Sequence, residues 1–178
     1  RQGVLPLWGD HLGLDSSTIS LVFGISMAME MLLFYPAGSV MDRWGRKAVA
    51  LPCLSIMAAG MFLIPFSSGF ASLVVVGLLI GFGNGLGSGI VMTLGADFSP
   101  EIGRAQFLGA WRVCGDLGTA GGPLVVAAAT GLASLAAASV TMGVIGAIGA
   151  GLMLVLMPET LNRERPPAPS PGPDPGEA

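Results

Sequence analysis

The chain has 178 residues, of which 52% are hydrophobic and only 11% are charged, and its formal net charge is −3. Its mean hydropathy is +0.75. So few charged residues cannot cover the surface of a water-soluble domain of this length, and the composition therefore predicts a chain whose solvent is the lipid bilayer. No nucleic-acid partner is expected.

The first sixteen residues, RQGVLPLWGDHLGLDS, are interpreted as the end of a preceding helix followed by an outer loop. The chain starts at Arg1 without a methionine, so we interpret it as a fragment of a longer protein. His11 has no Cys or carboxylate neighbours at ligand spacing, and no metal site is expected.

Five apolar runs follow, each near the roughly 20 residues that cross a hydrocarbon core as a helix. They cover residues 17 to 37, 48 to 66, 70 to 96, 107 to 130 and 134 to 157. Strands of a membrane barrel would alternate apolar and polar residues, and these runs do not alternate. The sequence therefore predicts an all-α membrane protein whose helical bundle covers residues 17 to 158.

Glycines are spaced for close helix packing in the third run. Gly81, Gly85 and Gly89 share one helix face, and Gly83 and Gly87 share another, so a neighbouring backbone can approach closely. The plain interpretation is tight packing. The alternative is that these faces let helices slide or bend during a transport cycle.

The basic residues gather at one side of the predicted bundle. They are Arg43, Arg46, Lys47, Arg104, Arg112, Arg163 and Arg165, and only Arg1 is left over. The positive-inside tendency predicts that residues 38 to 47 and the C-terminus are cytoplasmic. Residues 159 to 178 are rich in Pro with small and acidic residues, and are predicted to be a disordered cytoplasmic tail.

Glu30 lies near the middle of the first run, where a charged side chain costs about 3 kcal/mol on insertion scales. It is expected to face a cavity lined in part by Met27 and Phe34. Glu30 is therefore a candidate proton-coupling or substrate-cavity residue. The alternative is a protonated carboxyl group that is hydrogen-bonded inside the bundle.

Arg112 and Asp116 lie four residues apart in the fourth run, so a local ion pair is the simplest account. They are also candidates for proton coupling or for the substrate cavity. Pro123, after Gly121 and Gly122, removes a backbone donor and predicts a helix bend. No P-loop, nucleophile elbow or dinucleotide motif occurs in a suitable context, so neither an enzyme nor a cofactor is expected.

The segment GSVMDRWGRK resembles the G-x-x-x-D-R-x-G-R-K/R loop of the major facilitator superfamily (MFS). The matching residues are Gly38, Asp42, Arg43, Gly45, Arg46 and Lys47. The junction GADFSPEIGRAQFLGAWRVCGDLGTAGGP and the element MPETLNR also resemble this family, so the resemblance covers about residues 1 to 165.

The resemblance implies one six-helix half of a transporter. The stretch LVVVGLLIGFGNG lacks the arginine that is usual in the first half. This favours the C-terminal half, from the end of the seventh helix through the twelfth, with the N-terminal six-helix half missing. The element GTAGGP resembles the antiporter motif of drug exporters, which the family carries in its fifth helix, whereas here it falls in the eleventh.

The implied function is secondary active transport by alternating access, as proton-coupled efflux of drugs or small metabolites. The alternatives are an importer of sugars or organic acids, and a truncated membrane protein that does not transport.

The charged loop is interpreted as a gating element. Asp42 is expected to rest against the positive N-terminal end of a neighbouring helix, while Arg43 or Arg46 pairs with Asp97 or Glu101. These contacts would hold one conformer and break when the cytoplasmic side opens. The alternative is that the charges only anchor the topology.

Overall fold

The computed structural model describes residues 1 to 156. The predicted tail, Arg163, Arg165 and the MPETLNR element lie outside the described residues. The helices are α1 (Val4–His11), α2 (Ser16–Trp44), α3 (Lys47–Leu63, followed by a 3₁₀ turn at Ile64–Phe66), α4 (Phe70–Gly87), α5 (Ile90–Phe98), α6 (Arg104–Leu132) and α7 (Leu135–Leu156).

Five segments of the described chain are long and apolar enough to cross a membrane. They are formed by α2, by α3 with its 3₁₀ turn, by α4 together with α5, by α6 and by α7. This confirms the predicted all-α membrane class. The short helix α1 packs against α2 and α7, and it precedes the first complete span.

Helix α2 begins at an acidic N-cap and continues beyond its predicted end. The Asp15 carboxylate accepts hydrogen bonds from the Thr18 hydroxyl at 2.5 Å and from the Thr18 backbone N–H at 3.3 Å. The helix ends at Trp44 rather than Ala37, because charged side chains can extend a helix into the interface once the backbone has left the hydrocarbon. Residues 38 to 44 of the segment predicted as a loop therefore form the last turns of α2, and Lys47 begins α3.

The connection between α2 and α3 is short. Gly45 has φ +99°, a left-handed conformation that a residue with a Cβ rarely adopts, and Arg46 is the N-cap residue of α3. This sharp turn brings the charged end of α2 next to the start of α3.

The third span is not the continuous helix predicted over residues 70 to 96. Helix α4 ends at Gly87, and α5 begins at Ile90 after Gly89, which has φ +91°. Glycine adopts this left-handed conformation at little cost, so the glycine-rich run that permits close packing also permits the break.

Helix α4 lies between α2 and α3, α3 packs on α7, and α6 makes its main contacts with α7. The glycine faces explain the central position of α4. A Cβ at Gly81 would lie 2.2 Å from the Ser26 carbonyl oxygen on α2, and one at Gly87 would lie 2.2 Å from Cys53 Sγ on α3. The predicted close approach therefore occurs on both sides of α4, without Gly89, which lies in the break.

Candidate gating and charge sites

Arg46 and Asp97 form an ion pair that connects the charged end of α2 and α3 with α5. Arg46 Nε donates to Asp97 Oδ2 at 2.9 Å, and Arg46 Nη1 donates to the Met41 carbonyl at 3.4 Å. Only 14% of the Arg46 side chain and 24% of the Asp97 side chain are exposed. Of the partners that the sequence left open, the structure therefore pairs Arg46 with Asp97.

The other charged residues of the motif are arranged differently. Asp42 and Arg43 are exposed on the last turn of α2, and Lys47 is half-buried at the start of α3. Asp42 makes no hydrogen bond within residues 1 to 156, and its expected contact with the N-terminal end of a helix stays a prediction. Gly38 is half-buried and Gly45 is buried.

Glu30 is paired with a residue that sequence analysis had left unassigned. Arg1 Nη1 donates to Glu30 Oε2 at 2.5 Å, and the two side chains are 9% and 21% exposed. The Arg1 guanidinium carbon also lies 5.7 Å from the centroid of the Phe23 ring. The Leu5 amide donates to the Arg1 carbonyl at 3.2 Å, so Arg1 occupies the turn that leads into α1.

The sequence contains a signal that Arg1 lies at the same height in the bundle as Glu30. Arg1 and Glu30 lie at nearly equal sequence distances on either side of Asp15, where the chain reverses direction between α1 and α2. Antiparallel neighbours with equal rise per residue place such positions at the same height. Among the basic residues, Arg1 was also the one that did not fit the cytoplasmic group.

Arg112 and Asp116 form a separate, exposed pair on α6. Arg112 Nε lies 3.9 Å from Asp116 Oδ2, and the two side chains are 65% and 72% exposed. They line a cleft of about 460 Å³ that also includes Met92 of α5. The structure therefore does not bring Arg112 and Asp116 together with Glu30 in one charge cluster. Met27 and Phe34, the expected cavity neighbours of Glu30, are exposed on α2.

Trp111 is a structural residue of this region that sequence analysis missed. Its Nε1–H donates to the Val91 carbonyl at 2.8 Å, and its ring lies where a Cβ at Gly95 would come within 2.8 Å. Its ring also lies 6.5 Å from the ring of Phe98 on α5 and stacks on Phe107 of its own helix. The signal in the sequence was a large aromatic residue, Trp111, on the helix that follows the one carrying Gly95, where the missing side chain leaves room for a ring.

Pro123 lies inside α6, and α6 is helical from Arg104 to Leu132 without interruption. A Cβ added at Gly121 or Gly122 would meet no atom within 4 Å. This side of α6 is therefore open within the described residues. The bend at Gly121, Gly122 and Pro123 stays a prediction.

Comparisons with known proteins show which family the chain belongs to. The family model described as Major Facilitator Superfamily matches residues 2 to 177. Two uncharacterized MFS-type transporters, from Mycobacterium tuberculosis strains CDC 1551 and H37Rv, are 30% identical over 168 residues, which is 90% of this chain and 40% of each relative. The bacillibactin exporter of Bacillus subtilis strain 168 is 34% identical over 65 residues, which is 36% of this chain and 16% of the exporter.

No solved structure matches the chain at a significant level. The chain spans about 40% of the length of the two mycobacterial relatives, so it corresponds to part of such a protein. The family match covers almost every residue, including the charged motif, Glu30 and the five spans. The chain belongs to the Major Facilitator Superfamily.

Proposed function

We propose that this chain is the C-terminal half of a secondary active transporter that works by alternating access. In this proposal α1 is the end of the seventh helix, and the five spans are the eighth through twelfth helices. A preceding six-helix half supplies the other wall of the transport path. Residues 38 to 47 and the C-terminal tail lie in the cytoplasm, as the distribution of basic residues suggests.

The observation that carries the proposal is the ion pair between Arg46 and Asp97. It joins the α2–α3 connection to the end of α5, so it links three consecutive spans at one face of the bundle. Opening the cytoplasmic side separates these ends and breaks the pair. The pair therefore favours the conformer that is closed to the cytoplasm.

Glu30 is the proposed proton-coupling residue. A carboxylate at the middle of a span is costly unless it is paired or protonated, and Glu30 is paired because Arg1 Nη1 lies 2.5 Å from its Oε2. Protonation releases Arg1, and deprotonation restores the pair. We propose efflux of drugs or small metabolites as the direction of transport, and the similarity to a named exporter supports efflux over import.

The test uses the complete polypeptide in proteoliposomes with an imposed pH gradient, and it follows ethidium and 2-naphthalenesulfonate as a cationic and an anionic probe. Gradient-driven movement of either probe is expected for the wild type, and its loss is expected for Glu30→Gln. Absence of gradient-driven movement of both probes in the wild type would contradict transport of this kind. Flux that persisted in Glu30→Gln would contradict the coupling role.

The gating role has its own matched variants. Asp97→Asn removes the partner of Arg46, whereas Arg43→Gln removes an exposed charge from the same motif. We expect Asp97→Asn to slow transport and Arg43→Gln to leave it nearly unchanged, with equal membrane insertion. Equal transport rates in the two variants would support the alternative that these charges only anchor topology.

A further inference from the structure

Arg112 and Asp116 place two opposite charges on the wall of the cleft between α5 and α6. The cleft has a volume of about 460 Å³, which lies within the roughly 300 to 1,000 Å³ of pockets that bind small molecules. Both side chains line the cleft, and more than half of each is exposed. A ligand in the cleft can therefore reach both charged groups.

The depth of the two residues indicates which environment this part of the cleft faces. Helix α6 is one of the five spans and starts at Arg104, so Arg112 and Asp116 lie about 12 and 18 Å along its axis at about 1.5 Å per residue. Charged side chains at this depth of a span face a cavity, because contact with hydrocarbon is costly. The charged side of the cleft is therefore expected to face the transport path.

The contact between Arg112 and Asp116 leaves both groups able to bind a ligand. Arg112 Nε lies 3.9 Å from Asp116 Oδ2, whereas a charge-assisted hydrogen bond is about 2.8 Å long. Neither side chain makes a hydrogen bond within residues 1 to 156. The guanidinium therefore keeps its N–H donors for a ligand, and the carboxylate keeps both of its oxygens.

The remaining walls of the cleft suit an apolar group. Val91 and Met92 of α5 and Leu108 and Trp111 of α6 belong to its lining. The indole N–H of Trp111 already donates to the Val91 carbonyl at 2.8 Å, so the ring offers a ligand an apolar surface. Met92 is exposed, and its flexible thioether packs well against apolar and aromatic groups. The cleft therefore combines two opposite charges with an apolar wall.

Two neighbouring charges of opposite sign favour a ligand that carries both signs. A lone anion is attracted by Arg112 but repelled by Asp116 at a similar distance, and a lone cation meets the reverse. A ligand with neighbouring ammonium and carboxylate groups engages both residues, because its carboxylate matches the planar guanidinium and its ammonium group matches Asp116. A singly charged ligand uses one of the two groups and should bind more weakly.

We propose that the cleft binds zwitterions that carry neighbouring ammonium and carboxylate groups and an apolar side chain, as apolar α-amino acids do. The two charges of the ligand replace the long contact between Arg112 and Asp116, and its side chain packs against Met92 and Trp111. Since ligand and charge pair are each neutral, binding adds no net charge to the span. This inference rests on the proposed function and specifies the substrate class.

The experiment measures equilibrium binding to the purified complete polypeptide in detergent at neutral pH. L-Phenylalanine is the zwitterionic ligand. Two matched ligands keep its carbon frame, since phenethylamine lacks the carboxylate and 3-phenylpropionate lacks the ammonium group. In the wild type, phenylalanine is expected to bind at least about tenfold more tightly than either of them, because each one loses a charge-assisted hydrogen bond.

Single substitutions should reverse the preference of the cleft. Arg112→Gln leaves Asp116 without the neighbouring cation, so phenylalanine should bind about tenfold more weakly and phenethylamine more tightly than in the wild type. Asp116→Asn should give the mirror result, with tighter binding of 3-phenylpropionate. Damage to the fold cannot produce such a gain. Arg104→Gln changes an exposed arginine of the same helix outside the cleft, and it should bind all three ligands as the wild type does.

Two results would overturn the proposed site. One is binding of phenylalanine by the wild type that is absent or no tighter than the binding of the two matched ligands. The other is an order of affinities among the three ligands that Arg112→Gln and Asp116→Asn both leave unchanged.

The transport assay separates this inference from the proposed function. Selective binding of phenylalanine, without gradient-driven flux of phenylalanine, ethidium or 2-naphthalenesulfonate, would contradict transport and support the zwitterion site. Gradient-driven flux of ethidium or 2-naphthalenesulfonate by a protein that binds the three phenyl ligands equally would support transport and contradict the zwitterion site.

Discussion

Gly81 lies where the backbones of α2 and α4 come closest, and replacing it with alanine tests the packing of the bundle directly. The added Cβ would lie 2.2 Å from the Ser26 carbonyl oxygen and 3.0 Å from both the carbonyl carbon and Oγ of Ser26. Ordinary contact begins near 3.4 Å. The two helices must therefore separate by about 1 Å, because a helix backbone cannot rotate away as a side chain can.

The expected size of the effect follows from two opposing terms. Overpacking a close contact costs about 3 kcal/mol at the upper end of the usual range, which applies here because the opposing atoms belong to a backbone. Alanine recovers about 1 kcal/mol of helix propensity relative to glycine. We therefore expect Gly81→Ala to lower the free energy of unfolding by about 2 kcal/mol.

The measurement is reversible unfolding of the complete polypeptide in mixed micelles with increasing sodium dodecyl sulfate, followed by circular dichroism. Gly24→Ala on α2 is the matched control, because its Cβ would meet no atom within 4 Å. Gly87→Ala should fall between the two, because the opposing atom is the sulfur of Cys53, which can rotate. Equal unfolding midpoints for Gly81→Ala and Gly24→Ala would refute the close approach of α2 and α4.

Three further substitutions test other contacts. Trp111→Phe keeps a six-membered aromatic ring but removes the indole N–H that donates to the Val91 carbonyl and the five-membered ring that faces Gly95, so unfolding should become easier by at least about 1 kcal/mol; an unchanged midpoint would argue against these contacts. Ser26→Ala removes a buried hydroxyl that has no hydrogen-bond partner among the described residues, so stability should stay equal or rise, and a clear loss would contradict this assignment. Hydrogen bonds from Ser17 and Thr18 lower the pKa of Asp15 from 3.8 to about 2, so the stabilising effect of this N-cap is present above about pH 4 and is lost toward pH 2; the stability difference between wild type and Asp15→Ala should shrink over that interval.

The sequence was sufficient for the number and type of spans, because hydropathy over about 20 residues directly reports the hydrocarbon crossing. It was less informative about where helices end. Helix α2 continues to Trp44, since charged residues that leave the hydrocarbon can remain helical at the interface. Spacing also predicted that glycines would allow close contact, but it did not distinguish the α2-facing positions from Gly89, which became the break between α4 and α5.

The three ion pairs differ in how far the sequence alone predicts them. Arg112 and Asp116 are four residues apart on one helix, so their pairing follows from local geometry. The partner of Arg46 was narrowed to Asp97 or Glu101, because the sequence placed both near the same face of the bundle. For Glu30, the equal distances of Arg1 and Glu30 from Asp15 give the two residues the same height, but the sequence does not show that α1 packs beside α2, which the pairing also requires.

The break at Gly89 and the Arg46–Asp97 pair together make α5 a short segment that is free to turn at its first end and held at its last. Its first end follows a left-handed glycine that allows rotation at low cost, and its last turn carries Asp97, which is tied to the start of α3. A charge-assisted hydrogen bond contributes about 2 kcal/mol, whereas a full shift between two conformers from 1:99 to 99:1 requires about 5.5 kcal/mol. Under the proposed alternating access, one such pair changes the ratio of conformers by roughly 30-fold, which is enough to favour one conformer without locking it. Asp97→Asn should shift the ratio by about this factor in an accessibility assay at the cytoplasmic ends of the helices, and a ratio equal to that of Arg43→Gln would exclude α5 as the segment that the pair restrains.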